Sequence, residues 1–218
     1  MNRGSVTVRR LSGEPQKHAT DWNAVFELCC LTGNDGAPIA RERWELFGRL
    51  WVEPYRKILP QWLYVAEAQR GIIGYLTGCP NTGAFGKAKF WRFSLPLLVD
   101  IFLGRYRGNR EARRFVRQVF RLEKQSERAF SQALRRELQR DYPAHLHMNV
   151  DAAWRRSGVG TRLVEAFFSD LRSAHIPGVH LYCGADPLEF YQRQGFKDLA
   201  KIVFHGVPVY ALGLRLQD

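Results

Sequence analysis

The sequence predicts an α/β fold, a single domain with a central sheet flanked by helices. Three observations support this prediction. Apolar residues alternate at period two in some segments and recur at helical spacing in others, along nearly the whole chain. The 218 residues, 45% of them hydrophobic, suffice for one sizeable core. Near residue 150, a strand-like run leads through Gly-x-Gly into a long apolar-periodic helix pattern.

Composition narrows the class of protein further. No apolar run approaches the roughly 20 residues that span a bilayer, and the N-terminus "MNRGSVTVRR" has no apolar signal region. We therefore expect a cytoplasmic protein with no membrane partner. The four cysteines show no CxxC spacing, so we expect free thiols and no metal site.

The first third of the chain predicts a strand, two helices and a hairpin. "SVTVRRL" alternates as a strand does, and Asp21 is placed to cap a helix running to about Leu31. A second helix is predicted over 39–52, ended by Pro54. In "WLYVAEAQRGIIGYLTGC" two apolar runs flank a short turn, where Gly71 supplies the unusual backbone angles.

Residues 80–141 interrupt the strand–helix rhythm and predict a mainly helical insertion. One long helix is expected over 109–140, with an apolar face and an arginine-rich face. Residues 105–140 hold twelve Arg/Lys and four Glu, which is +8 of the net charge of +12. This face is either solvated or meets an anionic partner. Phe130 is the one aromatic residue among the arginines of 121–140, too few for a base-stacking platform, so nucleic acid is not the expected partner.

The last third predicts strand, helix, strand, helix and two strands. In "AHLHMNV" the side chains of His145, His147 and Asn149 share one face of the strand. A helix follows to about His175, then the strand "VHLYC". Asp186, Pro187 and Glu189 fit the N-cap, N1 and N3 positions of another helix, and two final strands flank "HG".

The stretch "AWRRSGVGTRL", residues 153–163, combines bare backbone and positive charge at a helix start. Such a start presents unpaired N–H groups and about half a positive charge, so strand, Gly-x-Gly and helix form an anion cradle. A tight turn that needs glycine only for its backbone angles is the alternative. The P-loop pattern fails because no lysine follows the glycines, and GxGxxG fails because Leu163 replaces the third glycine.

The pattern that fits is [R/Q]xxGx[G/A], at Arg155, Gly158 and Gly160, which resembles the pyrophosphate loop of the GNAT N-acetyltransferase superfamily. This resemblance implies a mixed, mostly antiparallel central sheet flanked by helices over residues 1–218, with the helical insertion between the third and fourth strands. It also implies acetyl-CoA as co-substrate. The residues expected to bind it are Val150, Arg155, Arg156, Ser157, Gly158, Val159, Gly160 and Thr161.

A narrower likeness comes from "GIIGYLTGCPNTGAF", "YPAHLHMNV" and "EFYQRQGF", which resemble the acetyltransferase-like domain of O-GlcNAc hydrolases and its free-standing bacterial relatives. Tyr191 falls on the tyrosine that often protonates the departing CoA thiolate in GNAT enzymes. The asparagine common seven residues earlier is Gly184 here, which weakens an expected contact to the pantetheine arm.

The resemblance implies acetyl transfer from acetyl-CoA to an amine. Tyr191 is the expected general acid and His147 the candidate general base, with Glu67 or a water as alternatives. The acceptor is unidentified, and the basic insertion favours an acidic one. A non-catalytic acyl-CoA-binding or protein-interaction domain and a nucleic-acid-binding module remain the rival functions. The oligomeric state is open, a homodimer included.

Overall fold

A computed structural model describes residues 5–11, 13–33, 36–105, 114, 130–204 and 206–216. Its strands are β1 Thr7–Arg10, β2 Leu63–Ala68, β3 Gly71–Cys79, β4 Ala144–Val150, β5 Gly178–Cys183, β6 Lys197–Phe204 and β7 Val207–Arg215. Its α-helices are α1 Pro15–Thr32, α2 Trp44–Trp51, α3 Glu53–Ile58, α4 Thr82–Lys89, α5 Leu95–Phe102, α6 Gln132–Asp141, α7 Val159–Ser173 and α8 Leu188–Arg193. A π-turn over Phe90–Ser94 joins α4 to α5.

The seven strands form one sheet in the order β1-β2-β3-β4-β5-β7-β6. Every neighbouring pair is antiparallel except β4 and β5, which run parallel. The predicted mixed, mostly antiparallel sheet is confirmed, and so is the position of the insertion between the third and fourth strands. Gly71 has the expected left-handed backbone, with φ of 112°.

Helices cover both faces of the sheet and bury two clusters. On one face, α7 packs Leu163, Phe167 and Leu171 against β2, β3 and β4 with no exposed surface. Burying a side chain of this size contributes about 1.5–3 kcal/mol. On the other face, α1 places Val25 and Cys29 against β2 and β3. The two clusters fix both sides of β4, the strand that leads into the candidate site.

Three boundary predictions in the N-terminal half and the insertion are wrong. Helix α1 begins at Pro15, and Asp21 lies buried within it because its carboxylate pairs with Arg9 at 2.6 Å. Pro54 stands in the first turn of α3, where its missing N–H is tolerated. The long helix expected over 109–140 is broken at Ser131, whose side chain caps α6 by accepting from Leu134 N–H.

Most of the arginine-rich face predicted for the insertion lies outside the described residues, apart from Arg114, which is exposed and helical. The described part of the insertion comprises α4, the π-turn, α5 and α6. At the C-terminal end, α8 begins at Leu188 with Pro187 as N-cap, one residue later than expected. Within the described ranges, no helix combines the length and apolar character needed to cross a membrane.

Candidate active site

The sheet opens between β4 and β5. These strands pair only at their first residues, Ala144 with Val179 and His145 with His180. The rest of β4, up to Val150, pairs with β3 alone. Among the described strands, the backbone groups that residues 146–150 direct towards β5 therefore have no ladder partner. An extended ligand can hydrogen-bond to such a strand edge.

At the end of β4, a short loop turns the chain into α7. Gly158 is the N-cap of α7 with φ of 81°, a left-handed conformation that suits glycine. A Cβ placed at Gly158 would meet nothing within 4 Å, so the unpaired N–H groups of the helix start are accessible. Arg156, exposed beside it, also has a left-handed backbone with φ of 59°. A helix start of this kind can hold an anion.

The two loop arginines differ in their surroundings. The Arg155 guanidinium folds back onto backbone carbonyls, donating to Gly36 O at 3.2 Å and to Val150 O at 3.4 Å. It therefore ties the cradle loop to the segment after α1 and to the end of β4. For the Arg156 side chain, no hydrogen bond or ion pair is found within the described residues, so its charge is available to an anion.

The side chains of Ser157, Val159 and Thr161, also predicted to bind the cofactor, make contacts within the protein. The Val159 side chain is buried in the α7 core cluster, and the Ser157 hydroxyl donates to Trp154 O. The Thr161 hydroxyl accepts from Gln194 at 3.2 Å. A Cβ at Gly160 would come within 3.1 Å of the Phe190 ring and 3.4 Å of Met148. Gly160 thus permits the close packing between α7, α8 and β4.

Tyr191 lies on the α7–α8 side of the opening. It is buried, packs edge-on against Phe190 and Phe196, and belongs to the same apolar cluster as β5. Burial, reinforced by the nearby thiol of Cys183, holds the pKa of Tyr191 well above its usual range. The hydroxyl therefore remains protonated throughout the neutral range.

His147 lies on the other face of β4, within a buried polar network. Its Nε2 is 3.3 Å from the Tyr75 hydroxyl, which also accepts from Asn149 Nδ2 at 2.9 Å. Burial lowers the pKa of His147 to about 4, so the ring is neutral at pH 7. The predicted shared face of His145, His147 and Asn149 is confirmed by partners that all lie on the α1–α4 side.

The candidate acid and base thus lie on opposite faces of the sheet, on either side of the opening. Glu67 does not join them, because it lies on β2 and pairs with Arg9 at 2.8 Å. Sequence reasoning missed Phe190, Met148, Tyr75 and Gln194. A glycine at position 160 indicates that another residue packs closely there but does not show which one. Tyr75 and His147, whose side chains are in contact, lie 72 residues apart in the sequence.

The two partly buried histidines of β4 predict a loss of stability in mild acid. The pKa values fall from 6.5 to about 3 for His145 and about 4 for His147, chiefly through burial. Below about pH 6.5 the unfolded chain takes up protons that the folded chain cannot. At about pH 5 each histidine should cost about 2 kcal/mol of unfolding free energy relative to about pH 7.5.

Urea unfolding at the two pH values measures this loss. His147→Gln removes one titrating group and should flatten the pH dependence. Equal unfolding free energies at both pH values would contradict the assignment of buried, neutral rings.

Comparisons with known proteins agree with this fold. Residues 118–198 match the family model of the acetyltransferase (GNAT) domain. The chain is 27% identical to SsHAT, with a TM-score of 0.73 over 98% of this chain and 100% of that one. A second similar structure is the ribosomal-protein-S18-alanine N-acetyltransferase from Escherichia coli, at 12% identity and a TM-score of 0.53 over 98% of this chain and 96% of that one. A third is yncA from Salmonella typhimurium with its cofactor acetyl-CoA, at 14% identity and a TM-score of 0.55 over 98% of this chain and 95% of that one.

The fold is therefore GNAT-like, and the matched family model together with the structural neighbours supports a GNAT acetyltransferase domain in this chain. The loop of Arg155, Gly158 and Gly160, the start of α7 and Tyr191 all lie within the matched residues.

Proposed function

We propose that this protein is an N-acetyltransferase that moves an acetyl group from acetyl-CoA to an amine. One observation supports this most strongly: β4 has a free edge beyond His145 and runs directly into the open, left-handed Gly158 at the start of α7. An edge for an extended pantetheine arm and a cradle for its pyrophosphate are thus adjacent in sequence and in space. That structural neighbours include a protein solved with acetyl-CoA adds support.

The anion would be held by the first N–H groups of α7, residues 158–161, with Arg156 adding a full charge. The helix start contributes about half a positive charge, and the missing side chain of Gly158 permits close approach. Val150, half-buried at the end of β4, would position the thioester through its backbone. Acetyl-CoA supplies the activated acetyl group.

Tyr191 is the proposed general acid. Its raised pKa keeps the proton on the hydroxyl at neutral pH, ready to donate to the leaving thiolate. The burial that raises the pKa of Tyr191 would also raise the pKa of the CoA thiol beside it. The difference between the two pKa values would therefore be smaller than the shift of Tyr191 alone. His147, with a neutral ring, is the proposed acceptor of the amine's proton on the opposite face.

A non-catalytic acyl-CoA-binding domain is the second candidate. Two observations favour it. Gly184 stands where GNAT enzymes commonly have asparagine, and a Cβ there would meet nothing within 4 Å. The hydroxyl of Tyr191 is also a weak donor because its pKa is raised. The loop, in contrast, is complete, so both candidates share the same cofactor site.

We also propose a cytoplasmic location, a reducing compartment in which the free cysteines would stay reduced. We propose an acidic acceptor on the strength of the net charge of +12 and its concentration in residues 105–140. The quoted segments of β3, β4 and α8 support the narrower likeness to the acetyltransferase-like domain of O-GlcNAc hydrolases.

Release of free CoA from acetyl-CoA, measured over a panel of amines that includes acidic peptides, tests the proposed activity. We expect release that depends on the amine and is lost in Gly158→Glu. Binding of acetyl-CoA with no release for any amine would instead favour the non-catalytic candidate. Absence of binding would contradict both.

A further inference from the structure

The insertion carries a group of exposed apolar side chains that lie close together in sequence. The seven exposed residues, which we call the apolar helix face, are Phe90, Trp91, Leu95, Leu98, Val99, Phe102 and Leu103. Phe102 is 87% exposed, Leu103 71% and Trp91 67%. On the opposite side of the same helical segment, Phe85 and Leu97 are buried.

The spacing of these residues explains the shape of the surface. Trp91, Leu95, Leu98 and Phe102 recur every three to four residues along the π-turn and α5, so they lie along one side. A contiguous apolar patch of this kind, rimmed by polar residues, marks an interaction surface. The candidate active site does not use it, since that site is built from β4, α7 and α8.

The rim of the apolar helix face is basic. Lys87 and Arg92 are exposed near its start, and Arg105 is exposed just beyond its end. Asp100 is the one acidic residue between 82 and 105. Its carboxylate pairs with Arg49 at 3.5 Å and with Arg105 at 3.3 Å, so the uncompensated charge of the rim comes from Lys87 and Arg92.

We propose that the apolar helix face inserts into the headgroup region of an anionic lipid bilayer. Tryptophan and phenylalanine on one side with lysine and arginine at the rim are the features of helices that lie in this interface. Residues 90–103 extend about 21 Å at 1.5 Å per residue, less than the roughly 30 Å of a hydrocarbon core, so the helix would lie parallel to the surface.

The basic rim favours an anionic bilayer over a second copy of the chain as the partner of the apolar helix face. Two copies meeting through this face would bring like-charged rims together, each on a protein of net charge +12. An anionic surface attracts the same charges over about a Debye length. The inference departs from the expectation of no membrane partner, which rested on the lack of a spanning run and did not address association with the surface.

Co-sedimentation of the full chain with lipid vesicles tests the proposal. One set of vesicles is neutral phosphatidylcholine, and the other contains about 30 mol% anionic phosphatidylglycerol. We expect wild-type protein to sediment with anionic vesicles at low salt and at least about tenfold more weakly with neutral ones. Trp91→Ser with Phe102→Ser should weaken binding at least about tenfold, since two aromatic side chains no longer leave water.

Val203→Ser is the matched control, because Val203 is 71% exposed but lies on β6, away from the apolar helix face; its binding should equal that of wild type. Lys87→Gln with Arg92→Gln should weaken binding and reduce its dependence on salt.

Thermal unfolding confirms that each variant is folded, and Leu98→Ser with Leu103→Ser replaces the first pair if that pair does not fold. No binding of wild type to anionic vesicles would overturn the proposal, as would equal binding by the Trp91/Phe102 variant. A dimer lost in that variant, without vesicle binding, would assign the face to a second copy instead.

Discussion

Gly158→Glu is expected to abolish the stabilisation of this protein by acetyl-CoA. A ligand at about 100 times its Kd raises the unfolding free energy by about 2.7 kcal/mol, which a thermal shift detects readily. The glutamate would place a negative charge where the backbone of α7 is now open, with nothing within 4 Å of the site of its Cβ. Both its volume and its charge oppose a bound pyrophosphate.

The control for this variant is Gly206→Glu. Gly206 also has φ of 81° and nothing within 4 Å of the site of a Cβ, but it lies in the turn between β6 and β7. The backbone strain of replacing a left-handed glycine, about 1–2 kcal/mol, is therefore matched. We expect Gly206→Glu to lower the unfolding temperature yet retain the full shift with acetyl-CoA. A retained shift in Gly158→Glu would show that the cofactor binds elsewhere.

Tyr191→Phe is expected to lower acetyl transfer by about two orders of magnitude or more while leaving acetyl-CoA binding intact. General acid–base groups typically contribute 10²–10⁴-fold. The change removes one hydroxyl and keeps the ring that packs against Phe190 and Phe196, so folding should survive. Since the pKa of Tyr191 is well above its usual range, its titration should not appear in the pH–rate profile of the wild type between about pH 6 and pH 9.

Tyr210→Phe provides the comparison, because Tyr210 on β7 packs against the same apolar cluster and its hydroxyl has no proposed role. Its turnover should stay near that of wild type. If Tyr191→Phe also turned over at the wild-type rate across this pH range, the thiolate would leave without the Tyr191 proton, and Tyr191 would be a packing residue.

Local patterns in the sequence predict most of the sheet but place several helix ends wrongly. Alternation identifies β4, and the faces of its side chains follow directly from the period of two. Asp21, in contrast, has the chemistry of a helix cap but is buried to pair with Arg9 on β1, a contact that only the folded sheet provides. Pro54 reads equally well as the end of one helix or the first turn of the next.

The candidate site also has one part that local sequence predicts and another part that depends on contacts between distant segments. The cradle is local, because Gly158 and the start of α7 are neighbours in sequence, and it is predictable from residue types. The opening between β4 and β5 arises where two strands from distant segments diverge after His145. The contacts of Arg155 with Gly36 and of His147 with Tyr75 join residues 119 and 72 positions apart. Neither can be inferred from spacing alone.

Hydrogen exchange measured by mass spectrometry, with and without acetyl-CoA, tests the central claim most directly. The free edge of β4 and the start of α7 expose N–H groups that a bound cofactor would protect. We predict slowed exchange in peptides that cover 146–150 and 156–162, with no change across β1 and β2. Protection confined to other segments, or no protection at saturating acetyl-CoA, would contradict a cofactor site at the opening between β4 and β5.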